Sequence, residues 1–410
     1  MVSVDQQPRV VDDSEELCTD TNNIHREGRI KKYAKRAGAS VLIAANLTTT
    51  GLYAYVQDDI YEGKRAVADS HPETHLIYDV YGEAKSQSVT YVATGLGTKD
   101  PSESAEKLTA HSEVGSIVAL EYSGKDINID ELTEVVVDDA RANGKKYISF
   151  DGYSAGGSIL LAVAAKIHKE YNDVHVISVA MNSSPVGEFG LTEKSKEASK
   201  ILSYVLQFWP DLAYSEKSRW AAEVIARNDR YYDQETNELD YDGLKNEITV
   251  VYDEKIANDK VAKGNLISSQ FDFIVRHGVE RSLKELGTPR EGKFAPSVFY
   301  TRSKNPTDDA VTHVEWSSHD VAEMAARHNV PLQVIPIDNI GHANPAERPT
   351  EYNATIERYI NPIRQSILRV FFSYGGEPIT GENIYDQIPP RYSTRIGGVA
   401  IDDIPVVVPR

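Results

Sequence analysis

Cysteine is almost absent from this chain, which has one, Cys18, among 410 residues. A single thiol cannot form an intramolecular disulfide, so cysteine usage does not indicate the redox compartment. Cys18 stands in a polar N-terminal stretch without a second cysteine at C-x-x-C spacing. We therefore expect it to be neither a nucleophile nor a metal ligand.

Positive charge is scarce as well: 44 Lys and Arg residues face 62 Asp and Glu residues, which gives a formal net charge of −18. The globular part has no Lys/Arg-rich stripe, and a phosphate backbone would be repelled, so we expect no nucleic-acid partner. The acidity indicates a solvated surface. Because 40% of the residues are hydrophobic and 26% are charged, most of the chain is predicted to be globular.

The N-terminal region changes character twice. Residues 1–36 form a polar tail that ends in a basic segment, and residues 37–56 (AGASVLIAANLTTTGLYAYV) carry no charge. This uncharged run has the length of a membrane anchor, with basic residues on the side where a cytoplasmic flank would have them. Its Asn, Thr and Gly residues fit equally well a basic amphipathic helix that leads into the first strand region. The protein is thus either membrane-anchored, with residues 57 onward extracytoplasmic, or cytoplasmic.

Strand-like and helical patterns alternate along most of the remaining chain. Runs rich in β-branched and aromatic residues predict strands at 75–81, 88–94, 116–121, 147–150, 174–181, 297–301 and 332–337. Helical spacing falls between them at 102–110, 130–143, 156–171, 318–328 and 350–368. This order predicts an α/β fold with a mostly parallel central sheet and helices on both faces.

One long insertion interrupts the alternation. Residues 57–186 and 294–370 form the predicted core, and residues 187–293 between them are predicted to be a helical cap. The clearest helical patterns of the cap are at 195–208, 215–228 and 265–286. The alternative is an independent helical domain, but both ends of the insertion return to the same sheet. Residues 371–410 are predicted to be an extended C-terminal tail.

The most specific pattern is GYSAGG at 152–157, which contains G-x-S-x-G. It follows an apolar strand and opens an Ala-rich helix, which is the setting of a nucleophile elbow. The turn would hold Ser154 in a strained conformation at the N-terminus of the helix, where partial positive charge accumulates. Because neither a G-x-G-x-x-G pattern nor a Lys-Ser/Thr pair accompanies it, a phosphate loop is disfavoured. Ser154 is therefore the predicted nucleophile.

A serine hydroxyl needs a base, and the base needs a carboxylate to orient it. His342 follows the last predicted core strand, on a loop that can lean toward Ser154. The loop after strand 297–301 carries Asp308 and Asp309, of which we favour Asp309 and keep Asp308 as the alternative. The order Ser, Asp, His along the chain is that of an α/β-hydrolase triad.

The tetrahedral intermediate of acyl transfer needs two donors for its oxyanion. The backbone N–H of Ala155, directly after the predicted nucleophile, supplies one. The turn Thr94-Gly95-Leu96-Gly97 follows strand 88–94, and its glycines allow close approach of the backbone. The N–H of Leu96 is the second predicted donor.

Together these motifs make residues 75–365 resemble the α/β-hydrolase superfamily. The resemblance rests on TGLG at 94–97, GYSAGG at 152–157, NPTDDAV at 305–311 and NIGHANP at 339–345. It implies a triad of Ser154, Asp309 and His342, with Leu96 and Ala155 in the oxyanion hole. The chain has Thr94-Gly95 where many members have His-Gly, and it lacks the HGGG of hormone-sensitive-lipase-like esterases, so no subfamily is assigned.

The leading hypothesis is a serine hydrolase that cleaves a small-molecule or lipid-like carboxylic ester through an acyl-serine intermediate. A peptidase, amidase or thioesterase could use the same triad. A catalytically silent α/β-hydrolase fold that binds a partner is the non-enzymatic alternative. We expect no cofactor and no metal ion, and the sequence does not predict the oligomeric state.

Overall fold

The computed structural model describes residues 49–196, 210–233, 236, 238–258, 260–276, 278–373 and 406–407. The chain forms two compact units, Met1–Asp58 and Asp59–Arg410. The predicted tail 1–36 and residues 37–48 of the uncharged run lie outside the described residues.

The first described element is helix α1, Thr49–Ala68. The prediction of a first strand within 37–56 is wrong for residues 49–56, which begin this helix. Its buried residues include Ile60, Gly63 and Val67, spaced three and four apart, which is a helical stripe rather than the alternation of a strand. Among the described residues, no helix is both long and apolar enough to cross a bilayer.

Within the described residues, a sheet of eight strands forms the centre of the larger unit, in the spatial order β1-β3-β2-β4-β5-β6-β7-β8. Strand β1 runs antiparallel to β3 and strand β8 antiparallel to β7, and every other pair is parallel. The predicted mostly parallel α/β sheet is confirmed. The strands are β1 Glu73–Tyr78, β2 Ser88–Ala93, β3 Ser116–Glu121, β4 Tyr147–Tyr153, β5 His175–Asn182, β6 Ser297–Ser303, β7 Leu332–Ile337 and β8 Val406–Val407.

Helices cover both faces of this sheet. After α1 and a single turn at Glu83–Ser86, they are α2 Ser102–Lys107, α3 Ile129–Ala142, α4 Ala155–Glu170, α5 Glu216–Ala226, α6 Tyr241–Val251, α7 Gly264–Arg276, α8 Val279–Gly287, α9 Val314–Arg327, α10 Pro349–Thr355 and α11 Asn361–Ser373. One core packs α3, α4, α7, α8 and α9 against the strands, and a second core packs α2 and the α10 region against the opposite face. Successive strand residues such as Val298 and Phe299 enter opposite cores, as the pleat requires.

The long insertion between β5 and β6 contains α5 to α8. The predicted helix over 265–286 is two helices, α7 and α8, because Gly278, with φ −57° and ψ 117°, has a non-helical backbone and is the N-cap of α8. Helix α6 was not predicted, and the pattern at 195–208 lies mostly outside the described residues. Leu283 and Leu286 of α8 are fully buried in the same core as the strands. The cap itself stays a prediction.

The C-terminal helical region also differs from its sequence pattern. The predicted helix over 350–368 is interrupted by a π-helical segment, Ile356–Ile360, between α10 and α11. Helix α11 then continues to Ser373, three residues into the predicted extended tail, because Ile367 and Phe371 form one buried stripe. Apart from β8, the rest of that tail lies outside the described residues.

Strand register brings the carboxyl ends of the parallel strands together. Gly152 of β4 pairs with Ala93 of β2, and Asn182 of β5 pairs with Tyr153 on one side and Thr301 on the other. The loops that follow β2, β4, β5, β6 and β7 therefore leave the sheet at one edge, where ligands bind in open α/β sheets.

Candidate active site

Ser154 is the single residue between β4 and α4. Its backbone has φ 52° and ψ −125°, in the region that residues with a side chain rarely adopt. Such a conformation costs about 1–3 kcal/mol and persists only where its surroundings hold it. Here the N–H of Ser154 donates to the carbonyl oxygen of Asn182 at 2.8 Å, which ties the turn to the end of β5.

The glycines on either side of Ser154 are needed for close backbone packing. A Cβ at Gly152 would lie 2.5 Å from the carbonyl carbon of Gly156. A Cβ at Gly156 would lie 2.5 Å from the carbonyl oxygen of Thr94. Both distances are far shorter than a normal non-bonded contact, so larger residues would force the turn apart.

His342 lies on the loop after β7, next to the Ser154 side chain. Its Nε2 atom is 2.8 Å from Ser154 Oγ. Ile340 and Pro345 are buried on either side and anchor the loop, while the His342 side chain keeps 20% of its surface exposed. The imidazole is thus held in place and still open toward solvent.

Asp309 lies on the other side of the same imidazole. Its two carboxylate oxygens are 3.0 and 3.1 Å from His342 Nδ1. The carboxylate is completely buried, and its Oδ1 atom accepts hydrogen bonds from the N–H groups of Val311 and Thr312 at 3.0 and 2.7 Å. Because an ionised carboxylate only accepts, Nδ1 carries the hydrogen and Nε2 presents its lone pair to the Ser154 hydroxyl.

Asp308, the predicted alternative, does not meet His342. Its side chain is exposed and accepts a hydrogen bond from Asn305 Nδ2 at 2.7 Å. The short turn Pro306–Asp308 directs this carboxylate to solvent and the next one inward. The structure therefore brings Ser154, His342 and Asp309 together and leaves Asp308 outside the group.

The two predicted oxyanion donors lie beside Ser154. A Cβ on Gly95 would be 2.6 Å from Ser154 Cβ, so Gly95, the residue before Leu96, packs directly against the serine. Ala155 is the first residue of α4. Within the described part of the chain, the N–H groups of Leu96 and Ala155 have no hydrogen-bond acceptor. Both groups are free to bind an anion.

A second polar group, which the sequence reasoning missed, lies buried beside β4. Asp151 Oδ2 is 2.6 Å from His111 Nε2, and His111 Nδ1 is 2.8 Å from Arg364 Nη1. Asn182 donates through Nδ2 to Asp151 Oδ1 at 2.5 Å. The signal was present, since a charged residue inside the apolar strand YISFDGY requires a buried partner.

Burial sets the proton affinities of this second group. It lowers the pKa of His111, against an opposing effect of Asp151. It also lowers the pKa of Arg364 to about 10, which leaves the guanidinium charged at neutral pH. Across the described residues, no three His, Cys, Asp or Glu side chains are grouped closely enough to hold a metal ion.

Strand order, the Ser154 turn and the loops that carry the acid and the histidine define the α/β-hydrolase fold. In this fold a serine stands on a strand-to-helix turn above a parallel sheet, and an acid and then a histidine follow it in the chain. The fold is compatible with many activities, so it does not by itself assign one.

The chain is similar, at low sequence identity, to several solved structures. Among the matches is a carboxylesterase structure from Nitrososphaera gargenis, with a TM-score of 0.43 and 12% identity over 72% of this chain and 95% of the other. The enol-lactonase of Burkholderia xenovorans matches at a TM-score of 0.45 and 15% identity, over 71% and 96% of the two chains. A bromoperoxidase from Bacillus anthracis matches at 0.43 and 13%, over 70% and 92%. No family model and no curated protein matches the sequence.

Proposed function

We propose that this protein is a serine hydrolase that cleaves a carboxylic ester through a covalent acyl-Ser154 intermediate. The observation that carries the proposal is the continuous hydrogen-bond path from Ser154 Oγ through His342 to the Asp309 carboxylate, with heavy-atom distances of 2.8 and 3.0 Å. A base within hydrogen-bond reach of a hydroxyl, itself oriented by a third group, is the arrangement that activates a serine nucleophile.

The first step is acylation. Ser154 Oγ attacks the ester carbonyl carbon while His342 Nε2 takes the hydroxyl proton. The carbonyl π electrons move to oxygen, and the N–H groups of Leu96 and Ala155 bind the resulting oxyanion. When the intermediate collapses, the bond to the alkoxy oxygen breaks, and His342 returns its proton to the departing alcohol.

Deacylation repeats the sequence with water. His342 takes a proton from water as the oxygen attacks the acyl carbon, and the released Ser154 oxygen receives that proton back. In both steps the buried Asp309 carboxylate stabilises the positive charge that forms on the imidazole. The strained turn contributes by presenting Oγ at the positive end of helix α4.

The test combines active-site labelling with substrate profiling. Wild-type protein, Ser154→Ala and Ser158→Ala are each divided into two samples. One sample is treated with a fluorophosphonate probe, and the other, without probe, is assayed on matched esters, thioesters and amides that share one acyl group. Ser158 is the control because it is a buried serine one turn further along the same helix. Comparing one acyl group across three leaving atoms separates esterase activity from thioesterase and amidase activity.

We expect labelling and ester hydrolysis in wild type and in Ser158→Ala, with both abolished in Ser154→Ala. Loss of the nucleophile lowers kcat by about 10⁶-fold in enzymes with this arrangement. Folded wild-type protein that reacts with neither probe nor ester would overturn the proposal and favour a binding role. Faster turnover of the amide than of the matched ester would make the protein an amidase.

A further inference from the structure

Helix α7 of the insertion carries a polar side chain where its apolar face meets the core. Gln270 is fully buried, with Leu266, Phe273 and Ile274 on the same face. A primary amide buried among such neighbours costs a few kcal/mol unless its hydrogen bonds are satisfied. The hydrogen-bond partners of the Gln270 amide therefore explain why it is tolerated in the core.

The Gln270 amide forms hydrogen bonds to one turn, the one that follows β2. Nε2 donates to the carbonyl oxygens of Gly95 and Thr98 at 3.1 and 3.0 Å, and Oε1 accepts from the N–H of Gly97 at 3.0 Å. The two carbonyls can only accept and the N–H can only donate, so this pattern also fixes which end of the amide faces which group.

These hydrogen bonds decide where the N–H of Leu96 points. The Gly95 carbonyl and the Leu96 N–H belong to one planar trans peptide, in which the two groups point in opposite directions. Because the carbonyl is directed to Gln270, the N–H faces away from α7. The Gly97 N–H is bound to Gln270 and the Thr98 N–H to the Gly95 carbonyl, whereas the Leu96 N–H has no acceptor among the described residues and can bind an anion.

The backbone of the insertion holds the same turn from a second direction. The N–H of Ala262 donates to the Gly97 carbonyl at 3.0 Å, and Thr98 forms a β-bridge with Val261. The insertion between β5 and β6 is thus fastened to the turn that lies along Ser154.

We infer that Gln270 is a positioning residue that orients the Leu96 N–H toward the oxyanion of the tetrahedral intermediate. The inference rests on the proposed hydrolase function and adds that the insertion helps to build the active site. A donor held in its final orientation before reaction stabilises the transition state without reorganisation, which is where such donors contribute most.

The substitutions Gln270→Ala and Gln270→Glu test this. The first removes all three bonds. The second keeps the size and shape and retains an acceptor for Gly97, but an ionised carboxylate has no hydrogen to donate to Gly95 and Thr98. Ser269→Ala is the matched control, because Ser269 also lies on α7 and its Oγ accepts from the backbone N–H of Ile127 at 2.8 Å, far from the Gly95 turn in sequence.

The readouts separate positioning from general stability. Steady-state kinetics on an ester give kcat and KM, and inhibition by a trifluoromethyl ketone, which forms an oxyanion on Ser154, reports affinity for a transition-state mimic. Hydrogen exchange at the Gly97 amide reports the bond to Gln270 even in a variant without activity. Unfolding midpoints are measured in parallel.

For both Gln270 variants we expect kcat to fall about 10- to 100-fold with KM changed by less than about 3-fold, since a displaced donor costs less than a deleted one. Inhibitor affinity should fall in proportion to kcat/KM, and the Gly97 amide should exchange faster. Activity of Gln270→Glu relative to wild type should rise toward acid pH, as the introduced carboxyl gains a hydrogen to donate.

Two results would overturn the inference while leaving the hydrolase proposal intact. One is a folded Gln270→Glu variant whose kcat and inhibitor affinity equal those of an active wild-type protein. The other is an equal loss of kcat in Ser269→Ala, which would mean that any loosening of α7 has this effect. If wild-type protein neither reacts with fluorophosphonate nor hydrolyses esters, the proposed function is wrong, and the inference about Gln270 fails with it.

Discussion

Two histidine–carboxylate pairs flank the end of β4, and they differ in what the second ring nitrogen faces. His342 and Asp309 are 3.0 Å apart, with 20% and 0% of their side chains exposed. His111 and Asp151 are 2.6 Å apart, with 0% and 1% exposed. In the first pair the free nitrogen faces the Ser154 hydroxyl, and in the second it faces a guanidinium.

The two pairs hold opposite tautomers. Arg364 has only hydrogens to donate, so His111 accepts at Nδ1 and carries its hydrogen on Nε2, toward Asp151. His342 carries its hydrogen on Nδ1, toward Asp309, and accepts at Nε2. A histidine beside a carboxylate is therefore no indication of a catalytic site. The group bound to the second ring nitrogen distinguishes the two pairs, because the Ser154 hydroxyl can become a nucleophile and the Arg364 guanidinium cannot.

The buried pair still has a connection to the predicted triad. Asn182 donates through its side chain to Asp151, and its main-chain oxygen accepts the N–H of Ser154 at 2.8 Å. We infer that the buried pair of His111 and Asp151, through Asn182, stabilises the strained turn at Ser154. Its removal should affect stability, whereas removal of the pair formed by His342 and Asp309 should affect rate.

The largest effect is expected for Asp309→Asn, with Asp308→Asn as the matched control on the neighbouring residue. An amide in place of the carboxylate can donate to Nδ1, which favours the wrong tautomer of His342, and kcat should fall by about 10⁴-fold. Asp308→Asn should stay within about 3-fold of wild type, since its carboxylate is exposed and bonded to Asn305. The kinetics of ester hydrolysis by both variants test this prediction. Equal losses of kcat would contradict the assignment of Asp309.

Much of this site could be predicted because its signals are local. Ser154 stands in a six-residue pattern between an uninterrupted apolar strand and a helix, and β3 and β7 have the predicted bounds because their apolar runs have sharp ends. The decision between Asp308 and Asp309 depends on the path of one short turn. No local pattern encodes that path.

Contacts between distant segments could not be predicted. Gln270 is hydrogen-bonded to Gly97, which is 173 residues away in the sequence, and Arg364 is hydrogen-bonded to Ser178, which is 186 residues away. The sequence shows only that a glutamine and an arginine interrupt apolar helical faces. Such an interruption indicates a buried partner, but tertiary packing decides which partner it is.

A smaller effect, on stability instead of rate, is expected for Arg364→Met. The guanidinium is completely buried and donates to Ser178 Oγ at 2.7 Å as well as to His111. Removing one member of a buried charged group leaves the others without compensation, which costs about 3–5 kcal/mol. Arg358→Met, at an exposed position of the preceding π-helical segment, should cost less than about 1 kcal/mol.

Urea unfolding measures the loss, and ester kinetics below the unfolding transition measure kcat of the folded protein. We expect kcat of Arg364→Met to remain within about 10-fold of wild type, because Arg364 touches no member of the predicted triad. A stable variant with a large loss of kcat would place the buried pair in the catalytic machinery and remove the contrast between the two pairs.

The smallest expected effect is acid destabilisation, which extends the comparison to two further histidines, the buried His168 and the half-buried His175. Burial lowers the pKa of His168 to about 4, and the positive charge of Lys293 acts in the same direction. His175 is lowered to about 4 for the same reasons. These side chains stay neutral in the folded protein, while the unfolded chain takes up protons near pH 6.5.

The unfolded state therefore binds more protons than the native state between pH 6.5 and about 4, and stability falls as the pH falls through that window. Each histidine contributes at most about 1.4 kcal/mol per pH unit. Urea unfolding of wild type and His168→Gln between pH 7 and pH 4.5 measures the slope. The variant should show the shallower slope, because glutamine does not titrate. Equal slopes would mean that His168 is already charged in the native state, and that burial near the sheet does not keep a histidine neutral as it does for His111.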